Sequence, residues 1–236
     1  MTRAELLSAS ARGMSFSTGM VQALPPAGIK NRTMRLVKGK RDKDHGGGPS
    51  RTRMFSDIRQ ISGFWYGVGR DGLPFINDPI KPRHKVGDIV YVRETFAWIS
   101  DWTCVDEAVG AMDGPIYRAD WNCEVAPRWR PSIHMPKTAA RTFIRITGVR
   151  AQRPQELTVE EIRAEGIVVL PCTVQANLCG HCGNYSVVVG CRRTEKAHQK
   201  WIRLWDSLCD KKELPIYGYQ ANPWCWVYEF EVIPYD

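Results

Sequence analysis

At 236 residues, with 43% hydrophobic and 25% charged side chains, the chain can bury a substantial core; this excludes disorder throughout and favours one large domain with an insert over two full domains. No stretch approaches the roughly 20 consecutive apolar residues of a membrane span, and the opening MTRAELLSASARGMSF has no long apolar run, so the expectation is a cytoplasmic protein with no membrane association. The net charge of +8 is concentrated between residues 28 and 53, where nine Lys or Arg face only Asp42 and Asp44. That suits a polyanion such as a nucleic-acid backbone; the alternative is a solvated basic loop.

In chain order, the first chemically suggestive stretch is GIKNRTMRLVK, where Lys30, Thr33 and Arg35 form a K-x-x-T-x-R pattern. A lysine near other cations or partly desolvated has a lowered pKa and can take a proton from a threonine hydroxyl, while an arginine binds phosphate or a carbonyl. With Arg32 and Lys38 nearby, the stretch reads as a binding site for nucleic acid or as surface residues of a basic loop. Residues 38–56, KGKRDKDHGGGPSRTRMFS, offer three successive glycines, a proline and alternating charge but no face to pack, and predict a mobile basic loop.

Strands are predicted over residues 88–99, 141–152 and 223–233. In the last, Trp224, Trp226, Tyr228, Phe230 and Val232 alternate with polar Glu229 and Glu231, as in a strand with one wet side. In the first, alternation puts Glu94 on the core side with Val90 and Val92, where a carboxylate needs a partner: a cation on a neighbouring strand, Lys30, or a ligand. Between them, WRPSIHMP sets Arg130, Ser132 and His134 between two prolines, a loop able to present polar groups to a base or phosphate, although an isolated histidine also serves structure.

Two helices are expected. Residues 158–165 open on a capping box from Thr158 to Glu161 and stop at Gly166, and residues 194–208 carry Trp201, Leu204, Trp205 and Leu208 on one face. Short strands, few helices and long irregular segments predict an α+β chain built as a small β-barrel decorated with helices, residues 1–236 forming a single domain.

Of the eight cysteines, Cys172, Cys179, Cys182 and Cys191 fall in a C-x6-C-x2-C-x8-C run within a Cys-rich insert over residues 170–193. Four thiolates at such spacing predict a structural zinc site, with His181 as a substitute ligand; the alternative is reduced thiols in a hairpin, the reading given to the scattered Cys104, Cys123, Cys209 and Cys225.

The ordered succession MVQAL, GIKNRTMRLVK, KVGDIVYVRETFA, YRAD, WRPSIHMPKTAARTFIRITGVRAQRPQELTVEEIRAEGI, LWDSL and NPWCWVYEFEVI, from about residue 20 to 233, resembles the ASCH family of the PUA-like superfamily, particularly its phage and prophage members. VGDIVYVRET and the helix ending Ala-Glu-Gly are family-typical, and WRPSIHMP marks the phage-type branch. The resemblance implies a PUA-like barrel with a cleft for a nucleotide or modified base, and so a partner among RNA, DNA and modified nucleosides. Small bacterial members of the family are amidohydrolases that deacetylate N4-acetylcytidine with a Lys, a Thr and a Glu, and Lys30, Thr33 and Glu165 match those positions. In such a reaction Lys30 activates Thr33, Glu165 handles protons for the leaving amine and the water, and Arg35 steadies the oxyanion. The departures are length, about twice that of the small deacetylases, together with WRPSIHMP and the Cys-rich insert. An ASCH-type nuclease and a phage inhibitor that binds a host protein are the remaining classes.

Overall fold

The computed structural model describes residues 1–10, 12–26, 28–37, 55–99, 114–122, 124, 126–167 and 192–235. In chain order its elements are α1 (Arg3–Ala9), β1 (Arg12–Ser15), α2 (Thr18–Gln22), β2 (Arg32–Leu36), β3 (Asp57–Ile61), β4 (Phe64–Val68), β5 (Ile89–Arg93), β6 (Phe96–Trp98), β7 (Pro115–Tyr117), β8 (Phe143–Gln152), α3 (Val159–Ala164), α4 (Arg192–Ser207), α5 (Leu214–Tyr217) and β9 (Cys225–Val232). The mixed α+β class is as the sequence predicts. Its main sheet is mixed and five-stranded, in the order β1-β5-β8-β9-β2; β1 pairs with β5 in parallel, and β5 with β8 and β9 with β2 are antiparallel. Among the described residues this sheet stays open, with β1 and β2 as its two ends, and no closed barrel is formed.

By their contacts the residues fall into two compact units, the first of 1–31, 86–147 and 230–236, the second of 32–85 and 148–229. The first has a core of Leu6, Phe96, Met135, Ala139, Ala140, Phe143 and Ile233. Its helix α1 starts at a reciprocal cap in which Thr2 Oγ1 accepts from the Glu5 amide and Glu5 accepts from the Thr2 amide. The predicted strand over 88–99 breaks into β5 and β6 because the Glu94 amide donates to the Met135 sulfur rather than to a ladder carbonyl. After the break β6 pairs with β7, while Phe96 and Arg130 bridge through their backbones.

In the second unit α3 and α4 cover a core of Met34, Leu157, Val159, Ile162, Trp201, Trp205, Cys225 and Val227. The predicted capping box is present: Thr158 Oγ1 accepts from the Glu161 amide at 3.2 Å and Glu161 accepts from the Thr158 amide at 2.9 Å. Gly166, at φ 93°, ends the helix in the left-handed conformation that glycine adopts without strain. Trp201 and Trp205 take the inner face of α4 as expected, but Leu208 lies just past the helix and is exposed.

Strand β9 departs from simple alternation. Cys225, Trp226, Val227 and Tyr228 are all buried, and only Glu229 and Glu231 reach water. Cys225 and Val227 share the face of Glu229 and Glu231 but meet the α3 and α4 side chains, so that face is covered at its start and wet at the two glutamates the pattern marks. Strands β3 and β4 form a hairpin whose turn residues Ser62 and Gly63 both have positive φ, 50° and 82°, as a two-residue turn between twisted strands requires. Behind it the Phe55 ring lies against Gly67, where a Cβ would come within 2.3 Å of the ring.

The basic residues from Lys38 to Arg53, and with them most of the predicted mobile loop, lie outside the described residues, as do Cys104, Cys123 and the Cys172, Cys179, Cys182 and Cys191 cluster with His181. No helix among the described residues is long and apolar enough to cross a membrane.

Trp201 is buried at the centre of the second unit, its indole N–H donating to the Pro154 carbonyl at 3.2 Å. Trp201→Ala is expected to cost about 3–5 kcal/mol in urea or guanidinium unfolding; a loss under about 1 kcal/mol is incompatible with this packing.

Candidate functional site

Strand β2 carries the motif, and its register against β9 decides which way each side chain faces. Thr33 lies opposite Tyr228, Arg35 opposite Trp226 and Leu36 opposite Cys225. Because strand side chains alternate, Arg32, Met34 and Leu36 share the face packed by α3 and α4, and Thr33 and Arg35 share the other. The TMRL sequence supplies that alternation.

On the helix face Arg32 is held in a polar network. It donates to Glu161 at 2.7 Å and to the Gln152 side-chain carbonyl at 2.6 Å, and Arg150 donates to Glu161 at 2.6 Å. Burial would raise the Glu161 pKa, but the Thr158 backbone contact and the two arginines outweigh it and hold the carboxyl at about 2. Arg32, a candidate contact to nucleic acid, is thus also a structural tie between β2 and α3.

On the opposite face Thr33 is fully buried, and its hydroxyl has no hydrogen-bond partner among the described residues. Arg35 is half-buried. Burial pulls its guanidinium below the ordinary range, Glu165 and Tyr228 oppose that shift, and Arg83 adds to it. Glu165, the last residue before Gly166, is 2% exposed. The helix-end carboxylate is therefore buried rather than solvated, and its charge is felt by Arg35 and by the Cys225 thiol.

Tyr228, Arg83 and His84 join this face without having been marked by the sequence as site residues. The Arg83 amide donates to the Tyr228 hydroxyl at 3.0 Å, and the buried His84 ring meets Tyr228 edge to face with centroids 5.6 Å apart. Burial raises the Tyr228 hydroxyl, against the lowering effect of the Arg83 and His84 amides. The signal in the sequence was the Pro-flanked basic run KPRHK at 81–85.

The remaining described candidates belong to the first unit. Lys30 is fully buried, with its ammonium 5.7 Å from the Phe16 ring centroid and its amide donating to the Ala23 carbonyl at 2.7 Å. Glu94, 1% exposed, receives two hydrogen bonds from Arg141, at 2.9 and 2.8 Å, which also pairs with Asp120 and stacks 3.9 Å from the Tyr117 ring centroid. Of the partners considered for Glu94, the cation beside a neighbouring strand is the one found. Burial and Glu94 together push Tyr117 up to about 12, with Arg141 opposing. Arg130 and His134 are exposed and Ser132 is half-buried in a 3-10 turn, with Arg93 donating to the Ile133 carbonyl at 3.3 Å.

Lys30 thus sits among first-unit residues, while Arg32, Thr33, Arg35 and Glu165 sit in the second; Lys38 and the four clustered cysteines lie outside the described residues. Among the described residues no group of three or more His, Cys, Asp or Glu is placed to hold a metal ion. In comparisons with known proteins, no family model, no curated protein and no solved structure matches the chain.

The Glu161 network sets a pH dependence. Its folded pKa of about 2 is below the ordinary value of 4.5, so its contribution to stability is present above about pH 4.5 and disappears as pH falls toward 2. Glu161→Gln is expected to lower stability at pH 7 and to flatten the acid limb; an unchanged limb in a pH series of unfolding curves contradicts the assignment.

Proposed function

We propose that the chain is an ASCH-type, PUA-like protein that binds nucleic acid and receives a nucleobase, plain or modified, at the Thr33 and Arg35 face of β2. The open five-stranded sheet serves, in this reading, as the core of the PUA-like barrel architecture. The observation that carries the reading is the buried Thr33 hydroxyl, which no described protein group satisfies. A buried hydroxyl without a partner costs about 1–3 kcal/mol, and a ligand amide or carbonyl removes that cost. Arg35 supplies a directional cation on the same strand face, Glu165 a buried acceptor in the same unit, and the net charge of +8 favours a polyanion.

In the same reading Lys38 of the basic segment and Arg130, Ser132 and His134 contact sugar and phosphate, Arg32 and Glu94 act through the ion pairs that each makes within its own unit, and Cys172, Cys179, Cys182 and Cys191 bind a structural zinc ion. Stoichiometric zinc in the purified protein, with a melting temperature lowered by chelator, is the expected result for the cysteines; zinc-free protein with an unchanged melting temperature ends that assignment.

The same hydroxyl favours one second reading, an amidohydrolase acting on N4-acetylcytidine or a similar acylated base. A threonine oxygen with no hydrogen bond to the described residues is available to attack. Lys30 takes its proton, Arg35 stabilises the oxyanion, and Glu165 passes protons to the leaving amine and from the hydrolytic water.

One variant panel tests both. Thr33→Val keeps the side-chain shape and removes the hydroxyl, so it is expected to leave stability unchanged or to raise it by about 1 kcal/mol. It should also weaken nucleoside binding by roughly tenfold and abolish any deacetylation. Wild-type affinity for single-stranded oligonucleotides should fall steeply with salt. Wild-type protein that binds neither nucleosides nor oligonucleotides refutes the binding reading, and a deacetylation rate that survives Lys30→Ala removes Lys30 from the mechanism.

A further inference from the structure

A second concave site lies within the second unit, just beyond the end of β2. The cavity has a volume of about 270 Å³, and its walls include Val37, Phe55, Arg153, Tyr217, Asn222 and Trp224. That is slightly below the range of about 300–1,000 Å³ for cavities that take drug-sized ligands, and suits a single ring system. Three walls are aromatic and one is a guanidinium, the two side-chain types on which unstacked bases are held.

The cationic wall is fixed in advance. The Arg153 guanidinium carbon lies 4.4 Å from the Trp224 ring centroid. Its two terminal nitrogens donate to the Asn222 carbonyl at 2.6 Å and the Phe55 carbonyl at 3.3 Å. The Trp224 indole N–H donates to the same Phe55 carbonyl at 3.2 Å. Asn222 itself is left-handed, φ 45° and ψ 56°, and its side-chain oxygen accepts from the Gln155 amide at 3.3 Å. Guanidinium and indole are therefore ordered before a ligand arrives, which lowers the entropic cost of stacking a flat group on them.

Two observations select the occupant. Thr33 lies in β2 and Val37 directly follows its end, four residues on and roughly 13 Å away at the usual extended rise, so an occupant reaching both places is a polymer rather than one nucleoside. The chain leaves the cavity wall at Val37 and returns to it at Phe55, and the intervening sequence carries six Lys or Arg against two Asp. With Arg153 in the wall, that balance favours a polyanion and disfavours a cationic ligand.

We propose that this cavity is a second base subsite, which stacks one base of a single-stranded nucleic acid beside Arg153 and Trp224 while another base occupies the Thr33 face. The proposal rests on the nucleic-acid reading above and extends it from one base to two.

The test is fluorescence anisotropy with labelled RNA and DNA pentanucleotides, in parallel with calorimetric titration of single nucleosides. Trp224→Ala is expected to weaken pentanucleotide binding about tenfold or more, the scale of one lost base stack, and to leave nucleoside binding unchanged. Trp224→Phe should recover affinity to within about threefold of wild type. An abasic residue moved along the pentanucleotide should be costly at two positions in the wild type and at one in Trp224→Ala. If melting curves show Trp224→Ala to be unfolded, Arg153→Gln and the wild-type abasic scan decide. A single costly position, or Arg153→Gln with wild-type pentanucleotide affinity, overturns the subsite and leaves the Thr33 reading intact. Wild-type protein that binds neither pentanucleotides nor nucleosides overturns both. The RNA and DNA arms identify which polymer is preferred.

Discussion

The pairing of β2 with β9 is the constraint on which the candidate site depends. With Thr33 opposite Tyr228 and Arg35 opposite Trp226, the apolar residues Met34 and Leu36 face the α3 and α4 core, and the polar pair faces the other way. A slip of one residue would exchange the faces, driving Thr33 and Arg35 into the tryptophan-lined core and Met34 out of it. The cost of moving a guanidinium into that core and losing Met34 from it makes the register strongly specified. The helices that cover one side of the strand therefore also fix what is offered on the other.

The two units handle buried charge in a similar way. In one, Glu161 is shared between Arg32 and Arg150 with Gln152 alongside; in the other, Glu94 is shared with Arg141, which also reaches Asp120. Each carboxylate is met by a planar guanidinium, a charge-assisted geometry that offsets part of the desolvation cost of an ion pair taken out of water. Thr33 stands outside this economy. Its hydroxyl is as deeply buried as the Glu94 carboxylate and more so than that of Glu161, and yet it has no partner among the described residues, a local inconsistency of the kind that functional sites keep.

What could be read from the sequence follows the range of the interactions. The capping box at Thr158 and the stop at Gly166 depend on contacts within a few residues, and both were legible. The strand over 141–152 was legible from its own residues as well. The break at Glu94 was not, because it is caused by Met135, 41 positions away. Strand β1 was not legible because its four residues, RGMS, are too short a run to show alternation; Gly13 is needed there, since a Cβ would come within 2.5 Å of the Tyr91 ring. For the site, Lys30, Thr33, Arg35 and Glu165 were marked by a motif. Tyr228, Arg83 and His84 were not, since only the long-range approach of residue 83 to residue 228 brings them to Arg35. The density of cations around β2 also concealed the ordinary strand alternation that its residues carry.

The contact between Phe55 and Gly67 gives the hairpin a role beyond its own stability. The ring of Phe55 rests on bare backbone, and its carbonyl receives both Arg153 and Trp224, so this residue joins a strand, a cation and an indole at one point. Val37 is bound at the other end through its amide to the Trp224 carbonyl at 3.0 Å. Trp224 is thus held from both sides, through its carbonyl by the residue that follows β2 and through its indole by the Phe55 carbonyl. A single residue thereby ties three separate stretches of the sequence into one wall of the cavity.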